Sequence, residues 1–140
     1  MSRIFWDTNL FIYLFEDYGT LSKEVGTLRR RMLERGDQLF SSTLTLGEIL
    51  VKPVEKNDER LKQAYREALT QTATLLAFDR ETALHYASIR KDKTVKAPDA
   101  IQLACAAQAH IDLFITNDQR LQGKLIPGIQ FIASLQGAFL

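Results

Sequence analysis

Five short apolar runs, RIFW, QLFS, TLLAF, DLFIT and IQFIA, recur along the chain at Arg3–Trp6, Gln38–Ser41, Thr74–Phe78, Asp112–Thr116 and Ile129–Ala133. They are rich in aromatic and β-branched residues, and their apolarity is nearly continuous rather than alternating. A strand that reads this way is covered on both faces, as in a parallel sheet. Helical patterns lie between the runs. In Leu21–Arg35 the residues Val25, Leu28 and Met32 share one face, and Gly36 supplies a stop. Asn57 can cap a helix with Asp58 and Glu59 in its first turn and Leu61, Ala64, Tyr65, Ala68 and Leu69 on its inner face. Asp79 can cap Glu81–Arg90, and Pro98 opens a helix running to about His110 that is apolar on most sides and therefore buried. Pro53 is expected to end a helix, which makes Lys52–Asn57 the first candidate for a long loop, with a protruding helical arm as the alternative. Strands alternating with helices predict an α/β domain with a mainly parallel sheet and helices on both faces.

The 140 residues fit one domain, 1–140. The net charge of +1, from 18 basic and 17 acidic residues, excludes a protein that coats nucleic acid by charge alone. A local basic patch stays possible, and Arg29, Arg30, Arg31 and Arg35 form the densest one, read first as a solvated helix face and second as an RNA-backbone contact. Cys105 is the one cysteine, so no disulfide within the chain and no Cys-x-x-Cys motif exists, which suits a reducing cytosol. No signal peptide is read at the N-terminus. No stretch approaches the ~20 apolar residues that span a bilayer. A cytoplasmic protein without membrane contact is expected.

Two strand-like runs end in a carboxylate among small polar residues: Asp7-Thr8-Asn9 after RIFW, and Thr116-Asn117-Asp118 after DLFIT. In open parallel sheets, ligands bind at the carboxyl ends of strands where the strand order reverses. Glu48 and Asp99 are further acids in apolar helical surroundings. Each has a plain structural explanation. Asp7 and Asp118 suit helix N-caps, Glu48 follows Thr45 at capping-box spacing, and Asp99 stands at the positive end of its helix. Taken together, four acids at strand ends and first turns would crowd one sheet edge. Like charges held together raise each other's pKa unless a cation is present. A hard divalent ion such as Mg²⁺ or Mn²⁺ takes oxygen ligands and can activate water on a phosphodiester. Thr8, Asn9, Thr116 and Asn117 would donate hydrogen bonds that orient the carboxylates.

This ordered set resembles the PIN-domain family: Asp7-Thr8-Asn9, a lone helical Glu48, Pro98-Asp99-Ala100 opening an alanine-rich helix, and Thr116-Asn117-Asp118. The resemblance covers nearly the whole chain. It implies a three-layer α/β/α sandwich with a five-stranded parallel sheet, frequently a homodimer. Members are metal-dependent nucleases, and many small bacterial ones are VapC-type toxins that cut RNA and pair with a small antitoxin protein. By that resemblance Asp7, Glu48, Asp99 and Asp118 would form the acidic metal site, with Thr116 helping to place the last acid and the attacking water. Lys96 would contact substrate phosphate. Many members carry a further Asp at the position of Leu121, and here no acid follows Asp118. A partner's basic side chain could also occupy the acidic pocket.

Other readings stay open. A haloacid-dehalogenase-like phosphatase would need Asp at the position of Asn9, and a signalling receiver domain would need adjacent acids where Thr8 follows Asp7. An inert PIN-like binding or dimerisation module, or a stand-alone PIN nuclease acting in RNA processing or on DNA, is compatible with the sequence. His85 and His110 lack metal spacing, and Cys105 reads as a small buried residue. Trp6 and the Phe11–Phe15 stretch read as core or dimer surface.

Overall fold

The computed structural model, which describes residues 1–138, alternates strands and helices in the order β1 (Arg3–Trp6), α1 (Thr8–Phe15), α2 (Thr20–Arg35), β2 (Gln38–Ser42), α3 (Thr43–Glu55), α4 (Glu59–Thr72), β3 (Thr74–Leu76), α5 (Arg80–Ile89), α6 (Ala97–Gln108), β4 (Leu113–Ile115) and β5 (Phe131–Ala133). The last two residues of the domain expected over 1–140 lie outside the described residues. The five strands form one parallel sheet in the order β3-β2-β1-β4-β5.

The continuous apolarity of the strands is used on both faces. Side chains alternate along a strand, so Phe5, Phe40 and Phe114 enter one core with α5 and α6. Ile4, Trp6, Leu39 and Ile115 enter another with α1, α2, α3 and α4. The Phe5 and Phe114 rings stack with centroids 5.0 Å apart on neighbouring strands, a cross-strand pair that fixes register as well as burying area. Cys105 is buried in the first of these cores, where its thiol is pushed up to about 11 by burial. A buried thiol held protonated in this way is a poor nucleophile.

Several sequence expectations shift. Pro53 does not end its helix; it sits buried inside the last turn of α3. Near a helix end the missing N–H costs little more than one backbone bond, and the Pro53 carbonyl accepts the Asp58 N–H at 2.9 Å. The expected loop shrinks to a turn in which Asn57 takes a left-handed φ of 52°. The cap of α4 is accordingly Asp58, whose carboxylate accepts the Leu61 N–H at 3.0 Å, and not Asn57. Helices α3 and α4 form a helical hairpin. On α4 only Leu69 of the expected inner face is buried, and Ala64 is exposed. A helix docked on the outer face of a hairpin needs a narrower apolar stripe than one laid flat on a sheet. Finally, Phe11–Phe15 is helical, with Phe11 buried against Trp6 at 5.2 Å between ring centroids.

Candidate functional site

The chain runs outward from β1 through β2 to β3, then crosses back to β4 on the other side of β1. The strand order therefore reverses between β1 and β4, where open parallel sheets carry their ligand crevice. Trp6 pairs with Ile115, so Asp7 and the Thr116-Asn117-Asp118 segment leave the sheet at the same edge. The Asp7 N–H donates to the Ile115 carbonyl at 3.0 Å. The first turn of α6 brings Pro98 and Asp99 to this edge, and α3 brings Glu48. A cleft of about 340 Å³ results, lined by Asp7, Thr8, Asn9, Ile12, Glu48, Pro98, Asp99, Gln102 and Asp118. A larger cavity, about 660 Å³ beside Lys124, has one acid, Asp92.

The four acids are held differently. Asp7 caps α1: one oxygen accepts the Thr8 N–H at 2.9 Å and the other the Thr116 hydroxyl at 2.8 Å. Burial pushes its carboxyl above the usual range; those two hydrogen bonds pull it part of the way back, and the charges of Glu48 and Asp118 raise it again. Burial also raises Asp99, followed by the charges of Asp7 and Asp118, against the pull of Arg120 and Lys96. Asp118 goes the other way because Arg120 clasps it, Nε to Oδ1 at 3.0 Å and Nη2 to Oδ2 at 2.7 Å. The same Nη2 lies 3.9 Å from an Asp99 oxygen. Glu48, on an exposed stretch of α3, accepts the Thr8 hydroxyl at 2.6 Å.

Of the four residues expected to orient the acids, Thr8 and Thr116 do so. Thr116 donates to Asp7 and accepts the Asp118 N–H at 3.0 Å. Asn9 and Asn117 make no side-chain hydrogen bond among the described residues, so their side chains do not fill that role in this arrangement. Lys96 is the exposed N-cap residue of α6, and its charge lowers both Asp99 and Asp118. No helix follows Asp118, so its N-cap explanation falls away. The capping-box explanation of Glu48 falls too: Thr45 is inside α3, whose N-cap is Ser42, and its hydroxyl is buried among other side chains. Leu121, at the position where a fifth acid would stand, is core.

The arginine cluster does not form one surface. Arg35 pairs with the buried Asp37 at 2.9 Å beside the start of β2, at the sheet edge opposite the cleft. Arg29 is partly buried, and Arg30 and Arg31 face solvent. Sequence reasoning missed Arg120 and Gln102. An arginine two residues after an acid is too common to notice. Gln102, however, is an amide in the middle of a mostly apolar helix, one turn after Asp99, and that signal was present.

The donor set is all hard oxygen, and burial together with mutual repulsion among the acids makes a cation the natural complement of the cleft. By that chemistry the residues fit Mg²⁺ or Mn²⁺. Among the described residues no three acidic, histidine or cysteine side chains converge closely enough to hold an ion as they stand. The reason is visible in the partners: Asp118 is turned to Arg120, and Glu48 to Thr8.

Comparison with known proteins bears on the family and the fold. The model of the PIN domain family matches residues 4–124. A chain of the toxin–antitoxin complex from Klebsiella pneumoniae superposes with a TM-score of 0.64 at 27% identity, covering 90% of this chain and 94% of that one. A chain of DNA-bound VapBC from Salmonella typhimurium gives 0.71 at 20% identity over 96% and 99% of the two chains. One of VapBC2 from Rickettsia felis, bound to a promoter DNA fragment, gives 0.70 at 13% over 94% and 98%; at these last two identities the likeness is one of fold. No curated protein matches the chain.

Proposed function

The chain belongs to the PIN-domain family, and from that premise we propose that it is a divalent-metal-dependent endoribonuclease, the VapC-type toxin of a toxin–antitoxin pair. The observation that carries this reading is the convergence of Asp7, Glu48, Asp99 and Asp118 on one cleft at the reversal of strand order. Burial and the neighbouring acids raise the carboxyls of Asp7 and Asp99, a standing cost to the fold. That cost is explained if a cation works there. Bound to these oxygens, Mg²⁺ or Mn²⁺ would activate a water and stabilise charge developing on a phosphodiester.

The chain's own residues would do the rest. Thr116 holds Asp7 and the backbone of Asp118 in one arrangement. Thr8 holds Asp7 through its N–H and Glu48 through its hydroxyl. Lys96 and Arg120 set positive charge at the rim, where a substrate phosphate would approach. An antitoxin is the expected partner, placing a basic side chain in the acidic cleft. A homodimer in the cytoplasm completes the reading; no helix among the described residues is long and apolar enough to cross a membrane.

The direct test is incubation of the purified protein with a mixed pool of structured RNAs in Mg²⁺, in Mn²⁺ and in EDTA. Discrete cleavage in the metal lanes alone is expected. Cleavage that persists in EDTA would sink the metal-dependent reading.

Arg120 gives a second check. It and a metal ion would compete for the oxygens of Asp118. Arg120→Gln is therefore expected to tighten Mn²⁺ binding. Because Arg120 is half exposed, solvent screens the pair and the gain is modest, about a few-fold. Melting curves taken across a Mn²⁺ series measure this by mass action. Unchanged or weaker binding in the variant would show that Arg120 is no competitor.

A further inference from the structure

At the floor of the cleft lies a buried polar cluster of which the metal reading uses only Thr8. Gln102 is its centre, 2% exposed and one turn after Asp99 on α6. A buried amide is tolerable only when its hydrogens and lone pairs are matched. The carbonyl of Gln102 accepts the Ser42 hydroxyl at 2.5 Å. Its amide nitrogen donates to the Thr45 hydroxyl oxygen at 2.8 Å and to that of Thr8 at 3.1 Å. Both amide hydrogens are thereby spent.

The direction of these bonds matters more than their number. An amide nitrogen can only donate, so Thr8 accepts from it. Thr8 has one hydrogen of its own and two acceptors in reach: the Thr45 oxygen at 3.0 Å and a Glu48 oxygen at 2.6 Å. A carboxylate is the stronger acceptor, and Thr45 already accepts from Gln102, while the single Ser41 hydrogen is shared between Thr45 at 2.9 Å and the Trp6 carbonyl at 3.0 Å. The chain of hydrogens therefore runs from Gln102 through Thr8 to Glu48. The opposite amide orientation would set the Gln102 carbonyl against Thr8 and compete with Glu48 for that single hydrogen.

We propose that Gln102 is a positioning residue for the acidic cleft: by donating to the Thr8 hydroxyl it commits that hydroxyl's hydrogen to Glu48 and fixes the carboxylate's place near Asp7. This rests on the metal-dependent nuclease reading and adds to it a residue that touches neither ion nor RNA. Gln102 is suited to the task because it ties α6, which carries Asp99, to α1 and α3, which carry Thr8 and Glu48.

The test is a double-mutant cycle read by titration calorimetry with Mn²⁺ alone, on full-length protein shown to be folded. Gln102→Met keeps length and removes every hydrogen bond; Thr8→Val removes the hydroxyl. Each is expected to weaken Mn²⁺ binding by roughly tenfold or more, the usual effect of losing a group that orients a ligand. The double variant should bind no more weakly than Thr8→Val, because Gln102 acts through Thr8. A merely structural role would lower the melting temperature of Gln102→Met without this lack of additivity. Should Gln102→Met fail to fold, Gln102→Asn, which keeps the amide one methylene short of Thr8, takes its place. Wild-type affinity in the Gln102 variant, or losses that multiply in the double variant, would overturn the assignment alone. A wild-type protein that takes up no Mn²⁺ would sink the nuclease reading and this assignment with it.

Discussion

Asp99→Asn is expected to melt at a higher temperature than the wild-type protein when no metal is present, and to have lost metal-dependent RNA cleavage. The two effects share one cause. Burial and the charges of Asp7 and Asp118 raise the Asp99 carboxyl in the folded state above its unfolded value. A group shifted that way contributes most to stability below its unfolded pKa, and the contribution is lost as pH rises through the folded one. Where the carboxyl is ionised that contribution is gone, and the charge is a net cost. Asparagine keeps the shape and removes the charge. It gives up a 3.9 Å approach to the half-exposed Arg120, the pull of the exposed Lys96 and a charge at the positive end of α6, surface terms that are each small. The melting advantage should shrink as the pH is lowered into the acidic range, where the wild-type carboxyl takes up a proton as well. Cleavage should fall by more than the roughly 10–100-fold typical of a group that only orients a ligand. Calorimetry at neutral and at acidic pH, beside an RNA cleavage assay in Mn²⁺, measures all three. A variant that melts lower at neutral pH without metal, or one that cleaves like wild type, would contradict the place given to Asp99.

How far the sequence could be read follows from how local each determinant is. The strands were legible because apolar continuity is a local property, and Ile4, Phe5 and Trp6 do part to opposite cores. The acids were legible as an ordered set because strand ends and first turns are local positions that the topology then gathers. The partners of those acids were not. Gln102 meets Thr8 across 94 residues and Thr116 meets Asp7 across 109, and nothing short-range announces either pair. Pro53 shows a local rule overruled: packing of the α3–α4 hairpin, and one carbonyl bond to Asp58, outweigh a single missing donor. The five-residue apolar stripe of α4 overstated burial for a related reason. Periodicity gives the face that points inward but not how much neighbour lies there.

Gly128→Ala is expected to be among the most destabilising small substitutions in the chain, although it adds one methyl group. Gly128 has a φ of +97°, which penalises a residue with a Cβ. The added carbon would also stand 2.7 Å from the carbonyl oxygen of Ala107 and 3.1 Å from its carbonyl carbon. Those are backbone atoms of α6 and cannot rotate away as a side chain can. Strain and overpacking together come to roughly 2–5 kcal/mol. Gly123 separates the two terms. Its φ is +81° but a Cβ there meets nothing within 4 Å, so Gly123→Ala should carry the strain alone, about 1–3 kcal/mol. Urea denaturation of both variants gives the difference. The damage from Gly128→Ala should also reach the cleft. The segment leaving Asp118 is anchored at the buried Leu121 and Ile129, and β5 beyond it accepts the Thr116 N–H through the Ala133 carbonyl at 3.0 Å. Pushing Gly128 off Ala107 moves β5 relative to α6, and with it Thr116 relative to Asp99. Weaker Mn²⁺ binding is thus expected in Gly128→Ala and not in Gly123→Ala. Equal loss of stability in the two variants would mean that the close approach to Ala107 contributes nothing, and that β5 is free to shift without cost to the acids it helps to place.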